Sequence, residues 1–521
     1  MDTLEQDGGN GHRLAQLCQE IAVSQGLVVA SNRGPVTYET EGDGGLTAAR
    51  GGGGVAVALS ALNRYLGFTW VAAAMGDGDR RACRDAKGGM LTADLDGQRF
   101  RLRFVDMPQG MYHKHYSVFC NPFLWFFQHG MCEPSYSPKK DGELWHAWEE
   151  GYVPANRAFA EAVAAQYRVE GSPYVMLHDY HLYLAPGYLR QRLPKARIHH
   201  FTHIPWPPTL AWALLPKPVT VRILRSLCCC DMLGMQTMRD VHNFLNTCRH
   251  FLRGAGIDHE ACTVQLDGRR TRVGAYPISV DVHHLGELAG SDEAARYEEM
   301  LRPLLGRQTI MRVDRLEPTK NILRGFEAYD LLLSRHPELT GQVRFLAFLV
   351  PSRTGLREYQ EYGREVFRKV EEINGRHGQG GWEPVKVFYE NNYTQAIAAM
   401  GLYDVLLVNT NADGMNLVAK EGPVVNRRNG VLVLSKGAGA HEQLRGNALS
   451  VAPEDIAGTA RAMHEALIMP SDERRRRAQA LKETMRQEDI AHWFWRQLKD
   501  LHGEAEPPMS QNREMALAGS T

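Results

Sequence analysis

From about residue 27 the chain alternates short apolar runs with longer stretches whose apolar positions recur every three or four residues. Apolar runs bounded by polar or glycine-rich turns predict buried strands, and the three-to-four spacing predicts amphipathic helices. In the first half, strands are expected in LVVAS (27–31), FTWVAAAMG (68–76), the start of YVMLHDYHLYLAPGYLRQRL (174–193), RIHHFTHIPWPP (197–208), the start of DMLGMQTMRDVHNFLNTCRHFL (231–252) and RTRVGAYPISVDV (270–282). Helical spacing follows the glycines of RGGGGVAVALSALNRYLG (50–67) and runs through residues 140–168. Residues 283–306 are acidic and helical and read as a connector. The alternation then restarts with QTIMRV (308–313), a helix over 321–336, GQVRFLAFLV (341–350), a helix over 356–373, and four short strands in VKVFYE, DVLLVN, GVLVLS and ALSVAP.

Strands alternating with helices imply a parallel sheet covered on both faces, and two such series imply an α/β chain of two doubly wound, Rossmann-like domains. The expected boundaries are a polar lead-in over 1–24, a first domain over 25–290 and a second over 291–488. A terminal helix over 489–503 is expected to pack back on the first domain, and the tail over 504–521, rich in Pro, Ser, Gly and Ala, to be disordered. Ligands of such sheets bind outside the carboxyl ends of the strands, so a central cleft faced by both domains is the expected site.

Composition narrows the class. The 521 residues suit two or three domains at about 100–200 residues each. Lys plus Arg and Asp plus Glu both number 60, which argues against a general nucleic-acid or anionic-membrane binder. No run approaches the roughly 18 apolar residues of a membrane span, and MDTLEQDGGNGHR lacks the basic flank and apolar core of a signal peptide. Nine cysteines, an odd number with no CxxC pair, predict reduced thiols and a cytoplasmic location. The triplet Cys228–Cys230 reads as packing, because adjacent helical residues point different ways. The run Arg474–Arg477 reads as a solvated helix face.

The strand ends carry the candidate chemistry. The first ends at Arg33, and Gly51–Gly54 either let backbone approach an anion at a helix start or form a flexible turn. Asp179 lies between His178 and His181, and His203 ends the next strand. A metal reading of these groups lacks a ligand set with zinc-like spacing, so no metal is expected. In MRVDRLEPTKN, Arg315 and Lys320 flank a turn beside a helix start, a pairing suited to a diphosphate. Arg353 ends the following strand. In NTNADGMNLVAKEGPVV, Asp413 and Glu421 stand eight residues apart; a helix starting near Gly414 would put one at its start and the other in its third turn. Cations suit phosphates and the acids suit hydroxyls, which points to an enzyme acting on a nucleotide-linked, hydroxyl-rich substrate.

The ordered set SNR (31–33), GG (53–54), HYSVFCNPFLW (115–125), HDYH (178–181), HIPWP (203–207), RVDRLEPTKN (312–321), PSR (351–353) and DGMNLVAKE (413–421) resembles the trehalose-6-phosphate synthases, retaining glycosyltransferases of family 20. The resemblance runs from about residue 27 to about 503. It implies a GT-B fold, no metal and no cofactor, and transfer of glucose from UDP- or GDP-glucose to glucose 6-phosphate. Carried over residue by residue, it implies that Arg315 and Lys320 hold the donor diphosphate with Gly54 against it. Asp413 with Gly414, Met415 and Asn416 would take the donor glucose, Leu417 would complete the donor site, and Glu421 would bind the ribose. His203 would touch the transferred glucose. Arg33, Tyr116, Trp125, Asp179 and Arg353 would bind the acceptor. The chemistry would use no covalent nucleophile.

Two departures accompany the resemblance. Ala73 stands where many members have a tryptophan near the acceptor, and RLEPTKN replaces the commoner RLDYSKG while keeping both cations. Two other readings stay open. One is a related glycosyltransferase or pseudo-glycosyltransferase with another phosphorylated acceptor, such as an aminocyclitol phosphate or glycerol phosphate. The other is a non-catalytic sugar-phosphate sensor, which should have lost donor residues that this chain keeps. Nucleic acid and membrane are not expected as partners, and a homo-oligomer stays open.

Overall fold

The computed structural model describes residues 8–24, 26–40, 45–51, 54–86, 89–95, 97–131, 142–171 and 174–503. The tail expected to be disordered and Gly52–Gly53 of the glycine loop lie outside the described residues. The chain forms two compact units. One takes residues 13–120, 141–276 and the chain from 494; the other takes residues up to 12, 121–140 and 277–493.

In the first unit the strands are β1 (Leu27–Ala30), β2 (Val36–Thr40), β3 (Leu46–Arg50), β4 (Thr69–Ala73), β5 (Leu91–Leu95), β6 (Gln98–Val105), β7 (Tyr174–His178), β8 (Arg197–Phe201), β9 (Met232–Met235), β10 (Gly256–Asp258), β11 (Thr263–Leu266) and β12 (Arg269–Ala275). Among the described residues, ten form one sheet in the order β10-β11-β12-β9-β8-β7-β1-β4-β6-β5. Its centre, from β12 to β6, is parallel, with antiparallel strands at both edges. β1, β4 and β7 are buried along their whole length, as expected of parallel strands covered on both faces. Val28, Val71, Val175 and Ile198 pack on Phe159, Val163 and Leu189 of the covering helices.

The terminal helix Ile490–His502 crosses into this unit. Its Asp500 accepts from Tyr276 Oη at 2.5 Å and pairs with Arg272 at 3.1 Å, and Arg197 Nη1 donates to the Leu501 carbonyl at 2.8 Å.

In the second unit β13 (Gln308–Arg315), β14 (Val343–Val350), β15 (Val385–Tyr389), β16 (Val405–Val408), β17 (Val431–Ser435) and β18 (Leu449–Val451) form an all-parallel sheet in the order β15-β14-β13-β16-β17-β18. That order is the doubly wound 3-2-1-4-5-6, whose ligand crevice opens where the winding reverses, between β13 and β16. The first unit reverses likewise between β1 and β7.

Two local expectations need correction. The helix after Asp413 spans Val418–Val425 and does not start near Gly414, because Asn416 holds φ +73° and interrupts helical backbone. Glu421 therefore lies in the first turn. Arg474 is not a solvated residue of the basic run: it reaches the buried Asp404 at 3.2 Å, while Arg476 and Arg477 grip Glu473.

Candidate functional site

The second unit's crevice is built at two strand ends stitched together. Arg315 is the last residue of β13, followed by a 3₁₀ turn Pro318–Lys320 and the helix Ile322–Arg335. The segment after β16 is tied to this turn. Thr410 Oγ1 and Asn411 N both donate to the Thr319 carbonyl, at 2.7 and 2.9 Å. Asn321 and Asn409 exchange side chain-to-carbonyl bonds of 2.9 and 3.1 Å. Asp413 is fixed from behind by a second segment: its N–H donates to the Gly437 carbonyl at 3.1 Å, and Gly439 N donates to its carbonyl at 3.0 Å. A Cβ on Gly439 would overlap the Gly414 carbonyl, so only glycine permits this approach.

The result is a partly buried ion pair, Lys320 Nζ on Asp413 Oδ2, with Asn416 Nδ2 donating to the same oxygen at 3.2 Å. Burial pushes the Asp413 carboxyl up, but Lys320, with help from His129 and Arg315, outweighs it and holds the group below its ordinary range. Asp413 does not cap the following helix; Asn416 Oδ1 accepts from Ala419 N at 3.2 Å instead.

Trp125 packs in this unit. Its ring lies 4.3 Å from the Arg353 guanidinium and 5.3 Å from that of Arg315. Four residues on, the buried His129 ring lies 4.2 Å from that of Trp125, and burial lowers its pKa to about 4. Sequence reasoning missed His129 and also Glu317, whose carboxylate is fully buried beside Arg315 and Arg353. The signal for Glu317 was present: an acid between two cations in a turn that a proline fixes.

Glu421 is buried and accepts from Tyr393 Oη at 2.9 Å. Burial raises its pKa to about 7, against a smaller lowering by the Tyr393 bond. The adjacent Lys420 is wholly buried, donates to the Ile278 carbonyl at 2.6 Å, and is lowered to about 7 by burial. Met415 is buried, and Leu417 stands at the N-cap, its carbonyl accepting from Glu421 N at 2.7 Å.

A pH dependence follows at Glu421. Its folded pKa lies above the ordinary value, so the folded carboxyl is largely protonated below about 7 and loses stability as pH rises through that range. On the ribose role that the resemblance implies for Glu421, the ionised form would accept two hydroxyls, so nucleoside diphosphate affinity should rise between about pH 6 and pH 8. Calorimetry across that range should find the rise absent in Glu421→Gln; an unchanged rise in that variant would take the dependence away from Glu421.

The first unit carries the remaining candidates. Ser31 Oγ accepts from Trp70 Nε1 at 2.8 Å and donates to the Arg33 carbonyl at 2.7 Å, leaving the Arg33 side chain exposed. Gly54, also exposed, opens the helix Gly54–Leu62. Asn32 Nδ2 donates to Tyr112 Oη at 3.2 Å, and the Tyr116 ring stacks 5.5 Å from Tyr112 and 5.8 Å from His181. Asp179 holds φ +75°, anchored by its N–H on the Phe201 carbonyl at 2.7 Å and by His203 N on its Oδ1 at 3.2 Å. His178 Nδ1 and His203 Nε2 share a 3.1 Å hydrogen bond. Burial, then repulsion among His178, His199 and His200, drives the His203 pKa well below its ordinary value, so it works as a neutral ring. Ala73 is buried at the end of β4, with its N–H on the Asn32 carbonyl at 3.0 Å.

Thus Arg315, Lys320, Arg353, Asp413, Gly414, Met415, Asn416, Leu417, Glu421 and Trp125 gather in one unit, and Arg33, Gly54, Tyr116, Asp179 and His203 in the other. Backbone strain marks the same places. Of seven described non-glycine residues with positive φ, four are Asp179, Asn321, Arg353 and Asn416, and such strain concentrates at functional sites. Among the described residues, His336, Glu338 and His464 group metal-ligating side chains. Their two imidazoles stack in parallel 3.7 Å apart, so the in-plane lone pairs do not converge. The group sits beyond the far end of the 14-residue helix Ile322–Arg335, roughly 20 Å from the Lys320 turn.

Two doubly wound sheets, one with paired cations and an acid at its switch point, define the GT-B class of fold. Residues 25–503 match glycosyltransferase family 20, and the chain belongs to that family. It is 35% identical over 484 residues to the bifunctional trehalose-6-phosphate synthase/phosphatase of Thermoproteus tenax, covering 90% of this chain and 62% of that one. It is 30% identical over 492 residues to the UDP-forming alpha,alpha-trehalose-phosphate synthase A of Dictyostelium discoideum, covering 93% of this chain and 63% of that one. The chain thus spans under two thirds of the length of these two relatives. Among solved structures it resembles a UDP-forming alpha,alpha-trehalose-phosphate synthase from Burkholderia xenovorans in complex with glucose-6-phosphate, with a TM-score of 0.78, 28% identity, and 92% of this chain and 100% of that one covered. Among the described residues no helix is long and apolar enough to cross a membrane.

Proposed function

We propose that this chain transfers glucose from UDP-glucose to glucose 6-phosphate with retention, forming α,α-trehalose 6-phosphate and UDP. The observation that carries the reading is the Arg315, Lys320 and Asp413 grouping at the β13/β16 switch point. Arg315 and Lys320 bind the diphosphate and stabilise the negative charge that grows on it as the sugar departs, the role a metal takes elsewhere. Asp413 and the amides of Gly414, Met415 and Asn416 take the donor glucose hydroxyls, and Glu421 takes the ribose. Asp179 and neutral His203 serve acceptor and transferred sugar, Arg33 and Tyr116 are assigned to acceptor binding, and so are Arg353 and Trp125. The acceptor hydroxyl oxygen bonds to the anomeric carbon on the face the diphosphate leaves. The carbon–oxygen bond to phosphate breaks with its electron pair going to the phosphate, and that oxygen accepts the hydroxyl proton. No covalent nucleophile is required. UDP is preferred over GDP because the Dictyostelium relative is UDP-forming. Eight free cysteines among the described residues suit a cytoplasmic setting.

The test is a product assay. UDP-glucose or GDP-glucose with glucose 6-phosphate should yield a disaccharide phosphate identified by mass and NMR. Because the cations neutralise the leaving group, dialysis against chelator should leave turnover unchanged; loss restored by Mg²⁺ would overturn that role. Buried Ala73 favours a second reading with another phosphorylated acceptor. Product from such an acceptor, and none from glucose 6-phosphate, would establish it instead.

A further inference from the structure

The carboxylate of Glu317 divides its two oxygens between different cations. Oε1 accepts from Arg315 Nη2 at 3.0 Å and from Thr319 Oγ1 at 2.9 Å. Oε2 accepts from Ser352 Oγ at 3.4 Å and lies 3.9 Å from Arg353 Nη1. The group has no exposed surface, and both guanidiniums it faces also lie over the Trp125 ring. Arg353 is held further by Tyr359 Oη and by its own positive φ. An isolated buried carboxylate is strongly unfavourable, so this one persists only because the cations around it are held in place. The dependence is mutual: two long side chains that would otherwise sample many rotamers are pinned by one anion.

We propose that Glu317 is a positioning residue that holds the diphosphate cation Arg315 and the acceptor-phosphate cation Arg353 in one register, coupling donor and acceptor binding through a single carboxylate. The inference rests on the roles given to Arg315 and Arg353 above. Burial pushes Glu317 up, but Arg315, Lys320 and Arg353 together bring it below its ordinary range, so it is the carboxylate that acts. Glu317→Gln keeps the shape and the hydrogen-bond acceptor at one atom but removes the charge and one acceptor oxygen. It should weaken two chemically separate probes, pyrophosphate and glucose 6-phosphate, by about tenfold or more each, the scale of a charge-assisted hydrogen bond. Glu317→Asp keeps the charge but, one methylene shorter, cannot reach both guanidiniums, and should lose a smaller part of both affinities together.

Calorimetry on the full chain tests this, with Asp404→Asn as the control. Asp404 is also a buried acid facing two arginines in this unit, but it precedes the other end of β16. It should lower the melting temperature without moving either affinity. Loss of both affinities in Glu317→Gln but not in Asp404→Asn supports the inference. Wild-type affinity for both probes in Glu317→Gln, or loss of one alone, overturns it. If Glu317→Gln does not accumulate as folded protein, Glu317→Asp carries the comparison: wild-type affinity for both probes overturns the inference, and a shared loss supports it. A wild-type chain that binds neither probe would overturn the functional reading itself.

Discussion

Lys320→Ala should lower turnover at least about a hundredfold, the scale for removing one preorganised charge partner from a developing anion. Lys320 is 8% exposed and its ammonium sits on Asp413. Its removal takes away the proposed diphosphate contact and strands a partly buried carboxylate that burial already pushes toward protonation. The sign of the pH effect is determined. With Lys320 in place the Asp413 pKa is below its ordinary value, so the pair adds stability above about pH 4 that is lost as pH falls. The variant lacks that increment, so its stability deficit should be largest at neutral pH, about 3 kcal/mol, and shrink in acid. A double-mutant cycle with Asp413→Asn separates the roles. Stability losses of the contacting pair should fall short of additive. Near-normal turnover in Lys320→Ala would sink the diphosphate assignment.

Arg312→Leu should be the most destabilising change in the same unit while touching no proposed substrate atom. Arg312 has no exposed surface. Its Nε and Nη2 donate to Asp314 Oδ2 at 2.9 and 2.7 Å, and Nη2 and Nη1 donate to the carbonyls of Lys320 and Ile322 at 3.0 and 3.3 Å. It thereby ties the strand β13 to the turn that presents Lys320. Leucine would leave Asp314 buried without its main partner, at a cost of about 3–5 kcal/mol. For a unit of this size that corresponds to roughly 10 °C in melting temperature. Burial already outweighs the cations and raises the Asp314 pKa. The variant raises it further, so the deficit should grow with pH as the carboxyl is forced to ionise. Arg312→Leu with Asp314→Asn should recover part of the loss. Melting unchanged in the single variant would contradict the account.

The relation between sequence and fold is uneven for identifiable reasons. β1, β7 and β16 were legible because parallel strands buried on both faces are close to continuously apolar, and β13 was legible from Ile310, Met311 and Val313 despite its buried Arg312 and Asp314. β6, QRFRLRFV, which lies between β4 and the edge strand β5, went unread although Phe100, Leu102 and Phe104 alternate with arginines at period two. The helix start was misplaced by four residues because nothing local reveals that Asn416 adopts positive φ. His129 was invisible as a site residue, since its significance lies in burial beside groups from elsewhere in the chain, and Glu317 showed only its local half, the neighbouring Arg315 and Lys320, not its burial against Arg353.

The sequence by itself determined the two doubly wound series, the strand ends at which chemistry could sit, and, through its ordered motifs, the family. Those properties are local or periodic, because burial on two faces and tight turns constrain residue type directly. Only the tertiary structure decided that Lys320 meets Asp413 across 93 positions, that Trp125 joins Arg315 and Arg353, and that Glu317 faces both guanidiniums. Pairing of that kind depends on which strands lie side by side, and strand order is not written in hydrophobic spacing.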